Sequence, residues 1–149
     1  MSPTHVEIGL LTVICLVGCG GGATPEIVPS LEQVGGKVLL DAKPAEGVSI
    51  TFFPAQNNKG NPATGTTDSL GAYTLTYRNG AAGIPAGDYV VLFSKLTKPD
   101  GSPIPEGQTA ADALAIDQIP ERFRRTDNPQ YTVSVPKGGK TFDFEIKSK

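Results

Sequence analysis

The sequence predicts an all-β fold, a sandwich of two sheets, and three observations carry that reading. Apolar residues alternate with polar ones in separate short runs, the period of a half-buried strand. The chain holds 18 glycines and 13 prolines, a density that suits short strands joined by turns and disfavours long helices, where proline costs about 3 kcal/mol. Runs and turn signals recur at the spacing of sandwich domains.

Six strands are legible, beginning at Gly36. Val38 and Leu40 alternate within Lys37–Asp41. Val48, Ile50 and Phe52 alternate with Ser49, Thr51 and Phe53, and Tyr73, Leu75 and Tyr77 with Thr74 and Thr76. Tyr89–Phe93 is apolar at every position, which predicts a central strand buried on both faces. Tyr131, Val133 and Val135 alternate with Thr132 and Ser134, and Phe142, Phe144 and Ile146 with Asp143 and Glu145. A seventh strand is expected near Gly65–Thr67. The best core candidates are Ile50, Phe52, Leu75, Val91, Val133 and Phe144.

The turns follow from residue chemistry. Asp41–Gly47 joins the first two strands, and Asp68-Ser69-Leu70-Gly71 precedes the Tyr73 strand with a glycine free to take positive φ. Pro85-Ala86-Gly87-Asp88 leads into the central strand, and Lys137-Gly138-Gly139-Lys140 reads as a tight hairpin between the last two. One segment breaks the rhythm. Residues 96–120 are too long for a bare loop in a compact domain. Their second half, Ala110–Ile119, starts after Thr109 with Asp112 three residues on and stops at Pro120, a short-helix signature with a capping-box-like start. This excursion is the first candidate for a binding surface, against the plainer reading of a lid over one end of the sandwich.

The N-terminus carries a different signal. An uncharged apolar run from Ile8 to Val17 is followed by Gly18 and Cys19, closing the string Leu16-Val17-Gly18-Cys19. The order is that of a bacterial lipoprotein signal: a stretch too short to span a bilayer as a helix, small residues, then cysteine. Met1–Glu7 departs from a standard signal in having no Lys or Arg. Cys19 is the expected lipidation site, carrying a diacylglyceryl group as the first residue of the processed chain. The expected organisation is a signal peptide over 1–18, a flexible tether over 19–34 with Pro25 and Pro29, and a sandwich domain over 35–149. Gly20 after the cysteine makes the outer membrane or periplasmic face the expected location.

Composition excludes several functions. The two cysteines are Cys15 and Cys19, and the one histidine, His5, lies in the segment expected to be removed. The processed chain then offers no disulfide, no Cys/His zinc site, no Ser–His–Asp or Cys–His nucleophile and no haem ligand. The formal charge of −2 is no footprint of a nucleic-acid binder, and the Arg122/Arg124/Arg125 cluster reads as a solvated face offset by Glu121 and Asp127. Asp68, Asp88, Asp100, Asp112, Asp117 and Asp127 could furnish calcium ligands, but no D-x-D-x-D-G run is present. No spacing selects a glycosidase carboxylate pair. Tyr73, Tyr77, Tyr89 and Tyr131 could form a sugar-stacking platform, although their alternating positions favour the core.

Several strings resemble a known family. Gly36-Lys37-Val38-Leu39-Leu40-Asp41-Ala42-Lys43-Pro44 with Gly47–Phe52, Thr67-Asp68-Ser69-Leu70-Gly71-Ala72-Tyr73, and Ile84–Val91 resemble carboxypeptidase regulatory-like (transthyretin-like) domains. Ile119–Phe123 and Thr141–Ile146 resemble the C-terminal half of small bacterial lipoproteins built on this domain. The resemblance implies a seven-stranded Greek-key β-sandwich of prealbumin type and a structural or adhesive module without catalytic residues. Ala42 stands where that family commonly has glycine, which leaves the type of the first hairpin turn open.

The expected function is therefore a membrane-anchored, non-enzymatic cell-envelope lipoprotein acting as a structural or interaction module. It would need no cofactor or metal. Its partners would be the bilayer, through acylated Cys19, and an envelope protein or polysaccharide, with no nucleic acid. The alternative is an exported small-ligand or carbohydrate-binding protein that uses the 96–120 excursion.

Overall fold

The computed structural model describes residues 29–78 and 80–148. In chain order the strands are β1 (Leu31–Glu32), β2 (Val34–Leu40), β3 (Lys43–Pro44), β4 (Ser49–Pro54), β5 (Ala63–Thr66), β6 (Ala72–Thr74), β7 (Thr76–Tyr77), β8 (Ile84–Pro85), β9 (Gly87–Ser94), β10 (Leu96–Thr97), β11 (Ile116–Asp117), β12 (Tyr131–Val135), β13 (Lys140–Thr141) and β14 (Phe144–Ile146). A short 3-10 helix, Glu121–Phe123, lies between β11 and β12.

Two sheets form the sandwich. One is antiparallel in the order β12-β9-β4-β5-β7. In the other, β2 is central, with β13 and β14 parallel to it and β3 and β6 antiparallel. The chain's first long strand is thus closed by its last. β6 and β7 act as one bent strand that crosses between sheets at Leu75, whose amide donates to the Val34 carbonyl at 3.0 Å. Counted so, seven principal strands remain: β2, β4, β5, β6–β7, β9, β12 and β14. The seventh strand expected near Gly65 is β5.

The core lies between the sheets. Ile50, Phe52, Leu75, Val91 and Phe144 are buried as their period predicts. Val133 is only half-buried, because β12 is the edge strand of its sheet and no described strand pairs with its outer side. Phe144 is the aromatic hub, with ring centroids 5.1 Å from Tyr131, 5.2 Å from Phe93 and 6.3 Å from Phe52 across the sandwich. Such edge-on contacts add attraction beyond the area they bury.

Four local expectations are corrected. Tyr89–Phe93 is central but not buried on both faces: Tyr89, Val91 and Phe93 point inward, while Val90 and Leu92 are half-buried on the outer face. Lys137–Lys140 is not a hairpin, since β12 pairs with β9 while β13 pairs with β2, so the turn carries the chain from one sheet to the other. Ala110–Ile119 makes a single turn rather than a short helix. Thr109 and Asp112 form the expected capping box, but Leu114 at φ 49 ends the turn at once. The Ala115 amide then donates to Ala110 and the Leu114 amide to Ala111, a Schellman closure without glycine. Finally, pairing starts upstream of Gly36: Leu31 and Glu32, placed in the tether from sequence, pair with Pro85 and Ile84.

Gly36 and Gly71 are required by close approach. A Cβ on Gly36 would meet the Phe142 carbonyl at 1.9 Å. There the ladder between β2 and the C-terminal strands is interrupted, and the Asp143 carboxylate accepts from the Lys37 amide at 2.8 Å. Gly71, at φ 72, would place a Cβ 2.5 Å from the Val38 carbonyl. Asp68 holds that turn by accepting from the amides of Leu70 and Ala72, both at 2.9 Å.

Candidate functional site

The register of the antiparallel sheet decides what its outer face presents. Leu92, Thr51, Thr64 and Thr76 stand opposite one another across β9, β4, β5 and β7. Ser94, Ser49 and Thr66 make the next row, and Thr132, Val90 and Phe53 the row on the other side. Neighbouring members of a row lie one strand spacing apart, about 4.8 Å. The outcome is a grid of hydroxyls with a small apolar patch. Among the outward positions of these five strands, Asp88 alone is charged. Phe53 is 44% exposed, although its neighbour Phe52 is fully buried.

One end of this face is walled by the base of the excursion. β10 and β11 pair there, Leu96 with Asp117 and Thr97 with Ile116. Asp117, its side chain 8% exposed, ties three segments together. It accepts from the Ser94 hydroxyl at 2.6 Å and from the amides of Lys95 and Ile119 at 3.0 and 2.8 Å. Arg124 Nε lies 3.8 Å from its Oδ2, and that guanidinium side chain is 41% exposed. Ser94, Asp117 and Arg124, together with Ser49, Thr51 and Leu92, line an open depression of about 280 Å³.

Beyond its base the excursion is a chain of locally closed turns. Asp100 accepts from the Ser102 hydroxyl and amide, and Asp112 from those of Thr109; each carboxyl is held below its ordinary range by these bonds. Leu114 projects outward, 75% exposed. A second depression, of about 460 Å³, opens between the edges β12 and β14. Polar groups on its walls bond each other: the Arg122 guanidinium donates to the Lys147 carbonyl, and the Tyr131 hydroxyl to the Glu145 carbonyl at 2.6 Å.

The residues singled out from sequence are scattered. Cys19 lies outside the described residues. The six aspartates do not converge: among the described residues no three His, Cys, Asp or Glu side chains group as metal ligands would. Asp127 pairs instead with Arg125, which pulls its carboxyl to about 2. Tyr73, Tyr77 and Tyr89 are buried in the core and Tyr131 is half-buried, so the four tyrosines make no platform. Burial, with Asp143 nearby, pushes the Tyr73 hydroxyl well above its ordinary value. The basic cluster is not uniformly solvated: Arg122 lies 4.9 Å over the Phe123 ring, and Arg124 faces the depression.

Sequence reasoning gave no binding role to this outer face. One signal was present: Phe53 falls on the polar phase of its own alternation. The cross-strand alignment of Thr51, Thr64 and Thr76 has no signal in any single strand.

Comparison with known proteins adds little about identity. No family model matches the chain. No curated protein matches it. Two solved structures of BcpA, the major pilin subunit of Bacillus cereus, resemble the fold. A single-residue variant does so with TM-score 0.44 and 15% identity, and BcpA itself with TM-score 0.39 and 15% identity. In both, the alignment covers 80% of this chain and 30% of the pilin chain. Among the described residues no helix is long and apolar enough to cross a membrane.

Proposed function

We propose that this chain is a non-enzymatic interaction module of the bacterial cell envelope, held at a membrane by lipid on Cys19. The reading rests on how the domain uses its polar groups. Its interior is closed by interlocking rings, with Tyr89, Phe52 and Phe93 fully buried, and every buried side-chain nitrogen or oxygen among the described residues has a partner. The carboxylates of Asp68, Asp100, Asp112 and Asp117 bond turn amides and hydroxyls. Such groups hold loops in place. A domain built this way acts through its exterior. The resemblance to carboxypeptidase regulatory-like domains agrees with this, as does the lipobox at Leu16–Cys19.

The anchor is tested by Cys19→Ser. Each buried methylene contributes about 0.8 kcal/mol, so two or three acyl chains retain a protein on a bilayer. The variant should fold but appear in the soluble fraction after a carbonate wash. Unchanged membrane partitioning would refute the anchor. Crosslinking in intact envelopes followed by mass spectrometry tests the module itself. Turnover of esterase, glycosidase, phosphatase or peptidase substrates, abolished by changing Asp112 or Asp117, would refute the non-enzymatic reading.

A further inference from the structure

We infer that the outer face of the five-stranded sheet binds a neutral polysaccharide. This rests on the reading of the chain as an interaction module and names its partner by chemistry. Three observations converge on that face.

The first is its hydroxyl grid. Thr51, Thr64 and Thr76 stand in one row, and each hydroxyl can both donate and accept. A sugar ring offers the same dual-purpose groups, so the two surfaces can pair without a fixed charge pattern. The second is Phe53. Its ring is 44% exposed and its register partner Val90 is half-buried on the same face. A lone exposed aromatic beside a small apolar patch suits the C–H face of a pyranose, which stacks on a ring while its equatorial hydroxyls reach sideways. The third is the Asp117–Arg124 wall. Asp117 fixes the Ser94 hydroxyl and lies against the Arg124 guanidinium, which brings charge-assisted donors to one end of the face.

The same features disfavour other partners. A polyanion, whether nucleic acid or an anionic lipid surface, needs a basic field, and the outward strand positions carry Asp88 as their single charge. A stable protein contact needs about 800 Å² per partner with an apolar centre. Here the apolar centre is only Phe53 with the half-buried Val90 and Leu92. From Ser49 to Phe53 is about 13 Å at the usual rise per strand residue. The depression and the phenyl ring are therefore set for successive units of one oligomer rather than for a single sugar.

Affinity electrophoresis of the full chain tests this in gels containing amylopectin, mixed-linkage β-glucan or galactomannan, with sedimentation on chitin in parallel. At least one polymer should retard or retain the protein. Phe53→Ala should weaken binding 10-fold or more. Thr64→Glu, on an exposed position that places a charge in the hydroxyl row, should do the same and guards against a folding defect in the first variant. Glu145→Gln, at an exposed position of β14 in the opposite sheet, should bind as the unchanged protein does. Retention by none of the polymers would overturn the inference, as would retention that survives both face variants. Concentration-dependent self-association lost in both variants, without retardation, would overturn it in favour of a second copy of the chain. Release of shorter oligosaccharides would refute the non-enzymatic reading, whereas absent binding without turnover would leave that reading standing.

Discussion

Replacing Thr67 by valine removes one oxygen from the core and exposes how the first hairpin is held. Thr67 is 4% exposed. Its hydroxyl donates to the Ala45 carbonyl and accepts from the Val48 amide at 2.8 Å. Its own amide and carbonyl bond the Val48 carbonyl and the Gly47 amide, each at 3.0 Å. Thr67 therefore clamps the chain between β3 and β4 from three sides. Valine has nearly the same shape but cannot make the two hydroxyl bonds. Each backbone group left unsatisfied in the interior costs about 1–3 kcal/mol, and the added buried methyl returns about 0.8 kcal/mol. With two such groups, the Val48 amide and the Ala45 carbonyl, the expected net loss for Thr67→Val is about 1–5 kcal/mol, a large part of the roughly 5–15 kcal/mol of an ordinary domain. Thr67→Ser keeps both bonds and loses only a methyl, at about 1 kcal/mol. Urea denaturation of both variants beside the unchanged protein measures this, provided the slope stays constant. A valine variant as stable as the serine variant would refute the reasoning, because the hydroxyl would then contribute nothing.

Two further outcomes follow from local geometry. Asp41 and Ala42, at φ 51 and 64, form the two-residue turn between β2 and β3, a type I′ pattern that an alanine adopts at a cost of about 1–2 kcal/mol. Ala42→Gly relieves that strain and loses part of the gain to chain entropy, so denaturation should show a stabilisation of about 0.5–1 kcal/mol; a destabilised variant would refute the turn assignment. The folded-state carboxyls of Asp127, Asp112 and Asp100 all lie below the ordinary 3.8. Their contribution is fully present above that value and is lost as pH falls through the folded values. An NMR titration should place Asp127 near 2, and a midpoint at its ordinary value would show that the Arg125 pair does not persist in solution.

Much of the fold was legible because a strand's period is local. Ile50, Phe52 and Leu75 declare their inward face within their own runs, and the Asp68–Gly71 turn declares itself through a carboxylate two residues from an amide it can bond. What failed was non-local. Val133 alternates with polar residues as Ile50 and Leu75 do, yet it sits on an edge strand, and only the neighbours present or absent on either side decide how deeply it is buried. The two glycines of Lys137–Lys140 suggest a hairpin, but the chain changes sheet there because β2 offers a free edge to β13. The single turn at Ala110–Leu114 has the capping signals of a helix, and pairing of Ile116 and Asp117 with β10 stops it before a second turn can form.

The candidate site divides in the same way. Cys19 and its apolar leader are a property of the sequence alone, since a processing signal is read along the chain. Alternation within single strands already placed Thr51, Thr76 and Phe53 on the polar side of the sheet. Only tertiary pairing aligned Thr51 with Thr64 and Thr76, brought Asp117 from a distant loop to Ser94, and set Arg124 at the end of that row. Register is a relation between strands, fixed when the core between the two sheets closes, and no strand contains it by itself.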